Sequence, residues 1–159
     1  MFKLGDRVVY PMHGAGVIEA IEEQEILGAR QKYYIMKLPL GDMRVMIPLN
    51  NARNIGIREV VNGDEIDHVL DVLKQDETVM PTNWNQRYRA NLEKMRSGDI
   101  LAVAEVVRNL MKRDHEKGLS TGERKMLDTA RRILISELIL VKQIDEESAT
   151  RLIEQLLES

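Results

Sequence analysis

Residues 55–73 read Ile55-Gly56-Ile57-Arg58-Glu59-Val60-Val61-Asn62-Gly63-Asp64-Glu65-Ile66-Asp67-His68-Val69-Leu70-Asp71-Val72-Leu73, and the hydrophobic period changes within them. Ile55 to Val60 supply a short β run, whereas Ile66, Val69, Leu70 and Leu73 recur at helical spacing. Val61-Asn62-Gly63 between them reads as a boundary. The chain therefore divides into a β domain, 1–61, and a helical domain, 62–159.

Toward the N-terminus, short apolar or β-branched runs break at turn residues. Strands are predicted over Asp6 to Tyr10, Val17 to Ile26, Tyr33 to Leu38 and Met43 to Ile47, with Ile55 to Val60 as a fifth. Pro48 ends the fourth because it has no N–H for a ladder. Five short strands with Gly turns predict a small barrel or rolled sheet. Toward the C-terminus, about five helices are predicted: Asp64 to before Pro81, Trp84 to Met95, Ile100 to Lys112, Ser120 to Val141 and Ile144 to Leu157. In the third, Leu101, Ala104, Val107 and Met111 are expected to face inward. Ser120-Thr121-Gly122-Glu123 fits a capping box. The fold class is α+β in two domains, the second all-α.

Composition narrows the function. With 43% hydrophobic and 31% charged residues, ten Gly and four Pro among 159, the chain is neither collagen-like nor disordered. No apolar run approaches the roughly 20 residues that span a bilayer, and Met1 to Asp6 lacks a signal core. No membrane association is expected. Zero Cys leaves no disulfide frame or thiolate chemistry, as suits a reducing cytoplasm. Residues 84–132 carry twelve basic and seven acidic side chains inside a chain of net charge −3. The positive middle sits in an acidic frame.

Catalytic patterns are scarce. There is no phosphate-binding GxxxxGK[ST] loop, GxSxG elbow or HExxH helix, and His13, His68 and His115 lack ligand spacing. Asp64, Asp67 and Asp71 share a helix side and read as a solvated face. Gly14-x-Gly16 reads as a bend where no side chain fits. No enzyme activity, cofactor or metal site is expected.

The telling segment is Pro81-Thr82-Asn83-Trp84-Asn85-Gln86-Arg87-Tyr88-Arg89. Thr82 or Asn83 can cap a helix that starts at Trp84. The indole then either projects from the tip or buries on the Trp84, Tyr88, Leu92 stripe. A flat ring among arginines suits kinked or forked DNA, where it stacks on a base while cations hold phosphates. Arg124 and Lys125, in the first turns after the capping box, oppose the helix dipole and suggest a bound phosphate. In the β domain, Met43-Arg44-Val45-Met46-Ile47 is a candidate edge strand able to pair with another chain.

Three motifs in order resemble the CarD family of bacterial transcription regulators (CarD/CdnL-like). They are Phe2-Lys3-Leu4-Gly5-Asp6-x-Val8-Val9-Tyr10-Pro11-x-His13-Gly14, then Pro81-Thr82-Asn83-Trp84 with Arg87-Tyr88 and Ala90 to Lys94, and then Gly118-Leu119-Ser120-x-Gly122-Glu123. The resemblance implies a Tudor-like N-terminal domain that binds the RNA polymerase β subunit. It also implies a helical domain that meets promoter DNA, largely independently of sequence, at the upstream edge of the bubble. Carried over by position, Trp84 is the wedge at the fork, Arg87, Arg89 and Arg124 contact phosphates, and Gln86 and Lys125 complete the DNA set. Gln24, Met43, Arg44, Val45 and Met46 form the polymerase set. Gln86, Gln24 and Met46 stand where some relatives carry basic residues.

The implied function is a non-enzymatic, nucleoid-associated factor that stabilises the open promoter complex in the cytoplasm. A monomer is expected, with a dimer as the alternative. The rival reading is a protein-interaction adaptor whose helical domain binds a second protein and whose Trp84 is core.

Overall fold

A computed structural model of the protein describes residues 2–41 and 43–158. In the N-terminal domain, β1 (Arg7–Tyr10), β2 (Gly14–Ile26), β3 (Ala29–Lys37), β4 (Arg44–Pro48) and β5 (Arg58–Glu59) form one antiparallel sheet in the order β4-β3-β2-β1-β5. Alternation sends Val8, Ile18, Tyr34, Met36 and Ile47 to one face, where they form a core with Leu38 and Ala52. This is the five-stranded, Tudor-like arrangement expected, with β4 and β5 left as its two ends.

Several boundaries differ from expectation for local reasons, and β3 starts at Ala29 and not at Tyr33 because Ala29 already pairs with Ile26 across the turn. β2 starts three residues early because Gly14 and Gly16 already pair with Tyr10 and Val8. A Cβ on Gly16 would lie 2.4 Å from the Lys37 carbonyl oxygen, so the absence of a side chain serves strand packing and not a bend. The fifth strand shrinks because Ala52–Ile55 forms a helical turn, α1, after a 3-10 turn at Leu49–Asn51. Gly56 stops that turn in the left-handed region (φ 90°), which glycine adopts at little cost.

The helical domain contains α2 (Gly63–Lys74), α3 (Trp84–Arg96), α4 (Ile100–Lys117), α5 (Thr121–Lys142) and α6 (Glu146–Glu158). Asn62, Asn83, Asp99 and Ser120 each cap the helix that follows, accepting a backbone N–H bond on the side chain. α4 continues five residues past Lys112 and stops at Gly118 (φ 77°). Its buried face is Val103, Ala104, Val106, Val107 and Leu110. Leu101 and Met111, expected to face inward, are half-buried and pack against the bundle core from its margin. The bundle core joins these residues to Ile66, Val69 and Leu73 of α2 and to Leu134 and Leu138 of α5.

The domains are docked by polar contacts onto the second half of α5. Glu137, fully buried, accepts a bidentate pair from Arg58 (2.9 and 3.0 Å) and a bond from the Val61 N–H (2.9 Å). The Ala15 N–H donates to Ser136 Oγ at 2.8 Å. Arg58 Nε also reaches the Gly98 carbonyl between α3 and α4, at 2.7 Å.

Candidate nucleic-acid interface and sheet edge

Trp84 is the first residue of α3, and Asn83 holds that helix start by accepting the Gln86 N–H (3.1 Å). The indole is 42% exposed. It stacks on Tyr88, one helical turn on, with centroids 5.0 Å apart and planes at 17°. Tyr88 in turn packs on the bundle core. The indole N–H donates to Ser120 Oγ at 2.9 Å. Gly122 lies against both rings: a Cβ there would meet Trp84 Cζ2 at 3.4 Å and Tyr88 Cε2 at 3.7 Å, ordinary contact distances. The ring is thus anchored on one side and open on the other. A core Trp84, the premise of the adaptor reading, is not what the fold provides.

Beneath the ring lies an ionic cluster. Arg87, expected as a phosphate contact, is only 3% exposed and pairs with Glu123 at 2.8 and 3.3 Å. It also donates to the Pro81 and Thr82 carbonyls. This corrects the expectation: a guanidinium with those four acceptors braces the Pro81–Asn83 turn and is not presented at the surface. Ser120 Oγ accepts the Glu123 N–H and donates to its carboxylate, so the capping box is intact. Burial pushes the Glu123 carboxyl up, but hydrogen bonds from Arg87 and Ser120 and the guanidinium charge outweigh it and hold the group below its ordinary value.

The remaining cations divide into two kinds. Arg89, Lys125 and Gln86 are exposed, and Arg89 and Lys125 have no ion-pair partner among the described residues. Arg124 pairs with Asp114 at 3.1 Å while remaining more than half exposed. That carboxylate offsets the unfavourable cation at the start of α5, so no bound anion is needed to explain it. Sequence reasoning named Tyr88 on the Trp84 stripe but missed Gly122 beside the indole and Glu123 as its foundation. The signal present was a glycine inside a capping box.

The second surface is the sheet edge. β4 is a terminal strand of the sheet. Register places Gln24 opposite Gln31 and Met46 opposite Ile35, so Gln24, Arg44 and Met46 share one face. Met46 is 40% and Met43 55% exposed, and Arg44 pairs with Glu19 through two bonds (2.7 and 3.2 Å). Val45 lies opposite Met36, half-buried against the β core, which corrects its side chain's place in the polymerase set. Met43 precedes the strand, and its carbonyl accepts the Leu38 N–H at 3.0 Å. Alternation from that bond turns residues 45 and 47 toward β3 and sends the Met46 N–H and C=O outward.

Among the described residues no three His, Asp or Glu gather as a metal site, and no helix is long and apolar enough to cross a membrane. One domain thus ends in a sheet edge, and the other carries a seated, half-exposed aromatic ring. Comparison with known proteins gives the family. Residues 2–61 match the CarD-like/TRCF RID domain and residues 68–154 the CarD C-terminal domain. The chain is 44% identical over 147 residues to "Putative transcription factor YdeB" of Bacillus subtilis (strain 168), covering 92% of this chain and 96% of that one. It is also similar to two solved domains of Myxococcus xanthus. The 72-residue N-terminal domain of CarD is 32% identical over 37% of this chain and 79% of its own, with a TM-score of 0.33. CdnLNt is 41% identical over 38% and 86%, with a TM-score of 0.34. The chain belongs to the CarD family. A role in regulating transcription follows, and the N-terminal match implies interaction with RNA polymerase in general.

Proposed function

We propose that the protein docks on the RNA polymerase β subunit through the β4 edge and places Trp84 at the upstream fork of the promoter bubble. It thereby stabilises the open complex without catalysing a reaction and works in the cytoplasm beside the chromosome. The observation that carries this reading is the half-exposed indole seated on Tyr88 and tied to Ser120. A ring already fixed in place loses little freedom on binding, and its open face can stack on an unpaired or kinked base. Arg89, Lys125 and the exposed part of Arg124 are the phosphate contacts in this reading, with Gln86 beside them. Such contacts position the duplex without specifying its sequence.

The mechanism is linkage. A factor shifts closed and open promoter states only by the difference in its affinity for them. Base stacking of about 1–3 kcal/mol would supply a shift of about five- to a hundred-fold in population. The overall negative charge works against free DNA affinity, so docking through the sheet edge raises the local concentration of the wedge. In this reading the division falls at 61–62, with a polymerase-facing unit before it and a DNA-facing unit after it.

The test measures the lifetime of open promoter complexes with wild type and Trp84→Ala, with polymerase binding followed in parallel. The expected result is a lifetime that falls toward that of polymerase alone while docking is retained. An unchanged lifetime with intact docking removes the mechanism.

A further inference from the structure

The docking between the two domains is unlike an ordinary linker contact. Its centre is the Glu137 carboxylate, fully buried on α5, with Arg58 of β5 bonded to both oxygens and the Val61 N–H to one of them. Arg58 simultaneously holds the Gly98 carbonyl, so one side chain joins the sheet to α5 and to the α3–α4 turn. Around this centre, Ala15 donates to Ser136 Oγ and Arg7 donates to the Leu140 carbonyl. Gly14 adopts φ 110°, and a Cβ there would lie 2.7 Å from Ser136 Oγ. Each of these bonds is directional, and together they span α5 from Ser136 to Leu140. A buried carboxylate is tolerated where a charged partner and further hydrogen bonds satisfy it, as Arg58 and the Val61 N–H do for Glu137. The Trp84 seat lies on the same helix, at Ser120 and Gly122. One continuous element therefore carries the indole at one end and grips the sheet at the other.

We propose that Arg58 and Glu137 are positioning residues: their latch holds the β4 edge and the Trp84 ring at one fixed separation and bearing, so that docking at the first site aims the second. This rests on the two-site reading above but makes a separate claim, that the two domains move as one body. A rigid connection raises the effective concentration of an already aligned group above what a flexible linker provides. Loss of the latch would leave both contact surfaces intact and remove their alignment.

The chain has no Cys, so spin labels can be introduced at Leu27→Cys on the β2–β3 turn and Glu116→Cys on α4, both exposed. The expected distance distribution is single and narrow in the otherwise wild-type protein and broad with Glu137→Gln or Arg58→Lys added. Thermal unfolding of unlabelled Glu137→Gln and Arg58→Lys confirms that each compared variant is folded. In unlabelled protein, binding to polymerase alone and to fork DNA alone should stay within about twofold of wild type, while the gain in open-complex lifetime drops by about tenfold. A broad distribution in the wild-type background, or a narrow one retained in both variants, overturns the latch. A broadened variant that still prolongs the open complex fully overturns the positioning role. If wild type itself has no effect on lifetime, the two-site reading fails, and the distance distributions alone decide whether the latch exists.

Discussion

The Glu123 carboxylate is shared between Arg87 and Ser120, and Ser120 in turn receives the Trp84 indole N–H. At the scale of single residues the exposed ring thus depends on a charge pair that solvent hardly reaches, with side-chain exposures of 4% and 2%. Removing one partner of a buried pair strands the other. Glu123→Ala should cost about 3–5 kcal/mol in urea unfolding and release the indole, seen as a change in Trp fluorescence. The pair also sets a pH dependence. Because the folded carboxyl sits below its unfolded value of about 4.3, its contribution is complete above that value and is lost as pH falls through the folded one. Wild type should therefore lose stability on acidification below about pH 4, and Glu123→Gln should show a flatter acid limb from a lower starting point. Arg87 was misread from sequence for an instructive reason. It sits three residues from Trp84, while the acid that buries it lies 36 residues away, and spacing along one helix carries no information about a partner on another.

Elements were legible where local chemistry governs them. Ser120 and the Trp84 helix start were readable because capping residues act within one turn. The short β5 was not, because α1 preceding it ends at a left-handed Gly56 that no alternation pattern reveals. The function of an edge strand is likewise a property of pairing and not of composition. In β4 the outward N–H of Met46 is available to an incoming strand, and proline removes an N–H without disturbing a ladder on the opposite side. Met46→Pro should consequently weaken binding to polymerase by about tenfold, corresponding to about one main-chain hydrogen bond, while the melting curve of the protein stays close to wild type. Met46→Leu, which keeps the N–H, should bind nearly as wild type. Equal loss in both would assign the contact to the side chain instead of the strand edge.

For the whole molecule, the proposed reading combined with a net charge of −3 and a basic middle predicts weak, salt-sensitive contact with nucleic acid. If Arg89, Arg124 and Lys125 each neutralise one phosphate, the slope of log K against log salt for fork DNA should be about −2 to −3, and Arg89→Ala should reduce its magnitude by about 0.9 at most. Titrations at several salt concentrations check this, and an unaltered slope would place Arg89 outside the contact. The two-domain division was legible from the change of period at 55–73, whereas the clamp between Arg58 and Glu137 was not, since its partners lie 79 residues apart. α5 explains why that long-range detail matters. From Gly122 to Ser136 the helix advances about 21 Å, and each added or deleted residue would turn one end by about 100° relative to the other. α5 between those two positions behaves as a shaft with a set phase. A single-residue insertion there would turn the Ser136–Leu140 contacts away from the sheet and carry Leu134 and Leu138 out of the bundle core with them.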